Sequence, residues 1–263
     1  NGIAITALQN AGHLGRIGDW AERAATADLV SIHMVNVRGS LIVAPFGGID
    51  RRMSTSPFCA GIPLSDGEDP IILDMATSVV AEGKALVALK GGKPLPDDAI
   101  VTESGDVTGD PKPLYGDTNQ GEFPNPSNGP GALRAFGNHK GSGLNFLMEM
   151  MAGALTGSGC AGTLSEPQRR FCNGMFSMYF SPNAFGHSEN SFVSEVKAYV
   201  DFLKSSRPTE AGGEVLIPGE KEKQVMAERL KSGLPLAPEA WEDIGKTARN
   251  SGMSQSNIDL ILQ

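Results

Sequence analysis

Residues 138–155 read NHKGSGLNFLMEMMAGAL, and the fold turns on how this stretch is read. A polar turn with two glycines, Gly141 and Gly143, opens directly into a helix. Leu144, Leu147, Met151, Ala154 and Leu155 recur at three- and four-residue spacing, which predicts one apolar helical face. A helix start leaves backbone N–H groups free and carries the positive end of the helix dipole. His139 and Lys140 would then stand beside a ready anion site, suited to a nucleotide phosphate or a carboxylate. An ordinary capped helix with solvated His and Lys explains the same residues equally well, because such sites are generic.

On the N-terminal side, residues 70–74 (PIILD) read as a short buried strand ending on Asp74. A helix is expected over Ser78–Leu89. A carboxylate at the end of a strand in an α/β layer sits where ligands gather and could accept hydrogen bonds from a ribose. It could equally be that Asp74 or Thr77 caps the helix that follows. Further back, Gly2–Leu8 is an apolar run of strand length, and Ile3–Leu8 read as buried. A glycine-rich turn covers 9–18, a helix Trp20–Thr26, and a second strand Leu29–Val37. This strand–turn–helix–strand order predicts an α/β fold. Val43–Gly48 (VAPFGG) is a tight turn, and Ser56–Phe58 is extended. Gly91–Asn128 is rich in Pro, Gly, Asp and Asn and reads as loop, Pro111–Pro130 above all.

On the C-terminal side, residues 157–162 (GSGCAG) match the dinucleotide pattern G-x-G-x-x-G letter for letter. They follow a helix instead of a strand, so they read as a helix stop and loop. Met175–Phe180 is a strand. Ser191–Ser205 is an amphipathic helix with Phe192, Val193, Val196, Val200 and Leu203 on one face. Val215–Glu220 is a short extended run. Glu222–Ser232, Pro238–Asn250 and Ser254–Leu262 are helical, the first with a solvated charged face. The chain divides into an α/β core over 1–180 and a C-terminal helical segment over 181–263.

Bulk properties narrow the function. The 263 residues suffice for one large or two modest domains. The net charge is −8, with acidic and basic residues interspersed, so no basic stripe argues for nucleic acid. Cys59, Cys160 and Cys172 are odd in number and widely spaced. They form neither a metal pattern nor a disulfide framework, which fits the cytoplasm. No run of about 18 apolar residues exists for a membrane span. Residue 1 is Asn, and a chain that begins inside a core strand reads as a fragment.

Among the histidines, His13 sits in the glycine turn after the first strand. A loop imidazole there can serve as general acid or base, although a lone His is more often structural. His33 lies inside an apolar strand and reads as a core or interface residue. His187, in a polar loop, reads as solvated.

Six stretches together resemble the malate/L-lactate dehydrogenase family of NAD(P)-dependent enzymes, closest to its hydroxycarboxylate dehydrogenase B subgroup. They are GHLGRIG at 12–18, VAPFGG at 43–48, TSPF at 55–58, ILDMATS at 72–78, HKGSGL at 139–144 and LIPGE at 216–220. They occur in family order over nearly the whole chain. The resemblance implies a three-layer α/β/α architecture with a large mixed sheet and a non-Rossmann dinucleotide-binding fold. It also implies C-terminal helices, an N-terminal helical segment that this sequence lacks, and a homodimer. It places the acid/base histidine on His13, which reverses the structural reading of that residue. It places cofactor contacts on Arg16, on Ile72, Leu73 and Asp74, on His139 and Lys140, on Asn173, and on Gly219, Glu220 and Lys221. The implied cofactor is NAD or NADP, and the implied substrate is a small 2-oxo or 2-hydroxy acid.

The sequence departs from the family pattern in places. The N-terminal segment with its Ser-His-Gly…Arg motif is absent, Gly116–Pro130 reads as an insertion, and Thr55-Ser56-Pro57 replaces Thr-Asn-Pro. Arg38 is a stand-in for the missing carboxylate anchor. Two other classes compete. One is a catalytically silent nucleotide-binding homologue. The other is a phosphoryl-transfer enzyme built on Lys140, which is disfavoured because a phosphate-cradling loop needs the order G-K-[ST].

Overall fold

The computed structural model describes residues 2–65, 67–117, 123–163, 171–186 and 191–261. The chain opens with β1 (Ile3–Ala11), α1 (Gly18–Ala25), β2 (Val30–Arg38), β3 (Val43–Ala44), β4 (Phe58–Ile62), β5 (Ile71–Met75) and α2 (Glu82–Leu89). It continues with β6 (Ile100–Val101), β7 (Val107–Thr108), α3 (Lys112–Tyr115), β8 (Ala132–Arg134) and α4 (His139–Met148), which runs into a π-helix over Glu149–Leu155. Strand β9 (Cys172–Phe180) follows. The helices α5 (Ser191–Lys204), α6 (Glu220–Ser232), α7 (Pro238–Asn250) and α8 (Gln255–Ile261) close it.

Five strands form one sheet in the order β1-β9-β2-β4-β5, every neighbouring pair antiparallel. The period-2 alternation of side chains divides it into two faces. Val35, Cys59, Ile72 and Met175 point to one face and bury Ile17 and Ala21 of the α1 region. Met34 and Phe176 point to the other and bury Met148 and Ala152 of α4 and the π-helix. Helices therefore cover opposite faces of this sheet. A second sheet, β3-β8-β6-β7, is mixed, with β3 and β8 parallel. Ile100, Leu114 and Leu133 are fully buried beneath it. Each such side chain contributes about 1.5–3 kcal/mol of burial free energy. The α/β expectation holds, but the single large mixed sheet does not. Strand β9 returns from far along the chain and inserts between β1 and β2, which makes the larger sheet antiparallel throughout.

Four further expectations change. Strand β1 is not buried: Ile3 is 52% and Ile5 60% exposed, because β1 is the sheet edge and no described element covers either face. The helix expected from Ser78 begins at Glu82, since Ser78 bridges to Ala135 and donates its hydroxyl to the Val80 carbonyl. The stretch 91–128 is not structureless. It contains β6, β7 and α3, and Leu114 and Tyr115 are fully buried. The Arg51 guanidinium organises that region, donating to the carbonyls of Leu114, Pro126, Gly129 and Gly131.

The fourth change concerns the central helix. Its buried line is Gly141, Asn145, Met148, Glu149, Ala152 and Gly153. The expected apolar stripe is turned outward at Leu147 and Leu155, which are 43% and 63% exposed. Polar Asn145 and Glu149 can lie inside because their hydrogen bonds are made there. The Asn145 amide donates to the Ser54 carbonyl and to Thr77 Oγ1.

The glycines of 157–162 stop the π-helix, as expected. Gly157 and Gly159 have φ of 78° and 86°, and their amides return to Ala154 and Gly153. Helix α5 half-buries the expected face. His33 is wholly buried between Ser31 and Ser177. His187 lies outside the described residues. No described helix is long and apolar enough to cross a membrane.

Candidate active site

The loop between β1 and α1 carries His13 and Arg16. His13 is exposed, and its Nδ1 accepts the Gly15 N–H at 3.0 Å. The neutral ring then carries its proton on Nε2 and presents it as a hydrogen-bond donor. Giving a proton away requires the imidazolium and removing one requires a bare Nε2, and both put a proton on Nδ1, so acid/base work in either direction exchanges the Gly15 bond for an acceptor. The peptide after His13 is held at both ends. The Leu14 N–H donates to Asn173 Oδ1 at 3.1 Å, and the Leu14 carbonyl accepts from Trp20 Nε1 at 3.3 Å.

Arg16 lies two residues before α1, paired with Glu22 and Asp19, which raise its pKa. Asp74, at the end of β5, accepts the Gly18 N–H at 2.8 Å. It caps the start of α1, not the helix after it, and contributes about 1 kcal/mol by satisfying an orphan amide. Partial burial pushes its carboxyl up, against the opposite pull of the Gly18 amide and Arg16. Ile72 is core beneath α1, and Leu73 pairs with Ala60.

Gly219 packs on the Ile72 backbone with φ of 93°. A Cβ there would meet the Ile72 carbonyl at 3.2 Å, so the LIPGE turn needs glycine at this point. The Glu220 carboxylate is occupied by Lys204 and the Ile217 N–H, and Lys204 holds it below the usual carboxylate range. Lys221 is exposed and lines a groove of about 710 Å3 with Lys84, Lys93 and Arg229. The α1 start thus brings Arg16, Asp74, Ile72 and Gly219 into one neighbourhood, next to the His13 loop.

His139 and Lys140 lie apart, at the start of α4. The first-turn amides there are largely used. Lys140 donates to Gly137, Gly141 to Phe136, and Ser142 to Asn138. The expected set of free N–H groups is therefore closed off by the preceding turn. The His139 ring meets Phe46 edge-on at 5.8 Å, and Ser142 Oγ accepts the Phe46 N–H. Among the described residues, no hydrogen bond or ion pair joins His139 or Lys140 to His13, Arg16 or Asp74.

Asn173 is buried. Besides accepting from Leu14, its amide donates to the Asn36 carbonyl at 3.1 Å. Arg38 Nη1 is turned to the Ser158 carbonyl. Sequence reasoning missed Asn36, Ser56 and Glu149. Glu149 is 7% exposed and accepts from Ser56 Oγ, Asn36 Nδ2 and the Ala161 N–H. The available signal was polar residues four apart, Asn145 and Glu149, inside an otherwise apolar helix. Ser56, where the resemblance expects Asn, supplies one of the three donors.

This architecture is that of the hydroxy-acid dehydrogenases. Hydroxycarboxylate dehydrogenase B of Escherichia coli K12 is 36% identical over all of this chain and 69% of its own length. The L-lactate dehydrogenase of Cupriavidus necator is 32% identical over 95% of this chain and 68% of its own. An E. coli structure provisionally described as a malate/lactate dehydrogenase superposes with a TM-score of 0.83 at 35% identity, covering 98% of this chain and 69% of that one. The sequence profile of malate/L-lactate dehydrogenase matches residues 1–245, and the chain belongs to that family. It spans about two thirds of the length of these relatives.

Proposed function

We propose that this protein interconverts a small 2-oxo acid and its 2-hydroxy acid with NAD or NADP, and that His13 exchanges the proton. The observation that carries the reading is the His13 loop itself. An exposed imidazole precedes a peptide pinned to the sheet, beside the Arg16–Asp74–Gly219 neighbourhood, in a chain whose relatives are named as hydroxy-acid dehydrogenases.

The residues fit a dinucleotide. Lys140 and Lys221 are exposed cations without a carboxylate partner among the described residues, and either suits a phosphate. The Gly219 turn brings backbone close to β5, along which a flat cofactor can lie. When bound, the dinucleotide gives or takes the hydride at C2 of the acid. The chain contributes the rest. His13, as imidazolium, donates a proton to the C2 oxygen in reduction and, as the free base, removes it in oxidation, while Ile72, Leu73, Asp74 and the 219–221 turn shape the cofactor face. A cytoplasmic homodimer completes the proposal. Three free cysteines suit a reducing compartment, and the exposed Ile3, Ile5 and Leu8 of β1 offer a surface for a second copy.

The test is NADH and NADPH oxidation by the intact protein against a panel of 2-oxo acids. His13→Ala should lower turnover about a hundredfold with dinucleotide affinity unchanged. Unchanged turnover would sink the role given to His13. A protein that binds NADH and turns over none of the acids would be a silent nucleotide-binding homologue.

A further inference from the structure

Glu149 is an uncommon residue to bury. It sits on the π-helix, with no cation bonded to it among the described residues, and is held by neutral donors alone. A carboxylate taken out of water is costly unless its oxygens are filled by hydrogen bonds. Here they are filled, and the bonds lead somewhere. Asn36 spends its side chain on this face of the sheet. Its Nδ2 donates to Glu149 at 3.1 Å and to the Gly159 carbonyl at 2.9 Å, and its Oδ1 accepts the Gly174 N–H. The Asn36 carbonyl then accepts from the side chain of Asn173, which points to the opposite face, where α1 packs. Asn173 Oδ1 ends the chain on the Leu14 N–H, one residue from His13. Gly174 permits the arrangement. A Cβ there would stand 2.0 Å from the Ala152 carbonyl, so only glycine lets the π-helix approach closely enough for Glu149 to reach Asn36.

We infer that Glu149, Asn36 and Asn173 form a positioning relay that crosses the central sheet and fixes the His13 loop for proton transfer. None of the three contacts the reacting atoms in this role. They act through the Leu14 peptide. The loop's other ties run to its own helix and to one side chain: Arg16 pairs with Asp19 and Glu22, Trp20 reaches the Leu14 carbonyl, and the half-buried Leu14 packs on the core beneath α1, so Asn173 is its hydrogen bond to the sheet. Placement matters steeply in such a site, since a displacement of about 1 Å can cost on the order of a hundredfold in rate. The side chain of Asn173, which the family resemblance gives to the cofactor, is in this geometry spent on the loop.

The inference rests on the acid/base reading of His13, so the experiment separates the two. In the intact protein, Asn173→Ala should lower kcat by about tenfold or more, with dinucleotide Kd within about twofold. Combined with His13→Ala, it should cost nothing further, because a residue acting through His13 has no effect once His13 is gone. Glu149→Gln keeps an oxygen for Asn36 and Ala161 and presents an amide that Ser56 Oγ can accept, so it should stay near wild type. Glu149→Ala should reproduce Asn173→Ala. Backbone amide exchange over residues 12–16 should accelerate in Asn173→Ala and Glu149→Ala and not in Glu149→Gln. Additive losses in the His13/Asn173 double variant, or unchanged exchange over 12–16, would overturn the relay. If His13→Ala leaves turnover intact, the acid/base reading fails, and the exchange measurement alone decides whether the loop is tethered through the sheet.

Discussion

Lowering the pH should destabilise this fold through one residue, His33. It is fully buried, with Nδ1 2.8 Å from Ser177 Oγ and Nε2 3.1 Å from Ser31 Oγ, and Tyr179 stands edge-on at 5.6 Å. Burial disfavours the imidazolium and pushes the pKa down from 6.5 to about 4. The sign follows from proton binding. Between those two values the unfolded chain binds a proton that the folded chain refuses. Stability is therefore fully present above about pH 6.5 and is lost as the pH falls toward 4. A gap of about 2.5 pKa units at 1.36 kcal/mol each, less the partial protonation of the folded state at its own pKa, gives a loss of about 3 kcal/mol by pH 4 and about 1.4 kcal/mol at pH 5.5. That is a large share of the ~5–15 kcal/mol by which ordinary domains are stable. Carboxylates also titrate in this range, so the assay must be a difference. Urea denaturation of the wild type and of His33→Gln at pH 7, 5.5 and 4 isolates the histidine. The variant should be less stable at pH 7, because its amide cannot reproduce both serine contacts in the same place. The gap should then narrow by about 3 kcal/mol on reaching pH 4. Parallel pH dependences in the two proteins would refute the argument that burial holds His33 neutral.

Two perturbations test the packing around the site. Gly141→Ala places a Cβ 2.3 Å from the Phe136 carbonyl, at the turn that starts α4. It should cost about 2 kcal/mol or more, since backbone cannot step aside cheaply, and weaken dinucleotide binding. Thermal melting and a fluorescence titration with NADH read both effects. Arg51→Ala removes the donor shared by four carbonyls between residues 114 and 131. It should cost about 2–4 kcal/mol and open that region to limited proteolysis, and Arg51→Lys should recover only part, because one ammonium cannot reproduce the guanidinium fork. An unaltered digestion pattern would show that the carbonyls are held by other means.

Much of this fold could be read from local pattern. Strands β2, β5 and β9 are short apolar runs bounded by turn residues, and helices α5 and α7 are long and periodic, so little but burial decides them. The faces of the central helix were hidden for a different reason. Apolar spacing picks out Leu147 and Leu155, while the residues that turn inward include Asn145 and Glu149. Apart from the Ala161 amide, their partners lie 68–113 residues away in sequence, which no window of local spacing can show. Asp74 illustrates the same limit. Its position at a strand end was legible, but its partner, the Gly18 N–H, lies 56 residues upstream. The stretch 91–128 reads as loop because its strands are two residues long and its order comes from Arg51 and from the burial of Tyr115. At the site, Asp74 and His13 stand out from their places at a strand end and in a glycine turn, while the roles proposed for them and for the LIPGE turn rest on resemblance. The relay through the sheet, which resembles no motif, became visible only with the strand register.

Strand β9 also sets the order in which this protein can be made. It is the shared neighbour of the first two long strands: residues 3–11 and 30–38 pair with 172–180 and not with each other. During synthesis, β2 can fill one edge with β4 soon after it emerges, but its other edge, and the paired edge of β1, must wait for more than a hundred further residues. Loop closure over such separations slows folding. Open edges left in the meantime are templates for pairing with other chains. The early chain is therefore the stage most exposed to aggregation and the one at which chaperone binding should matter most.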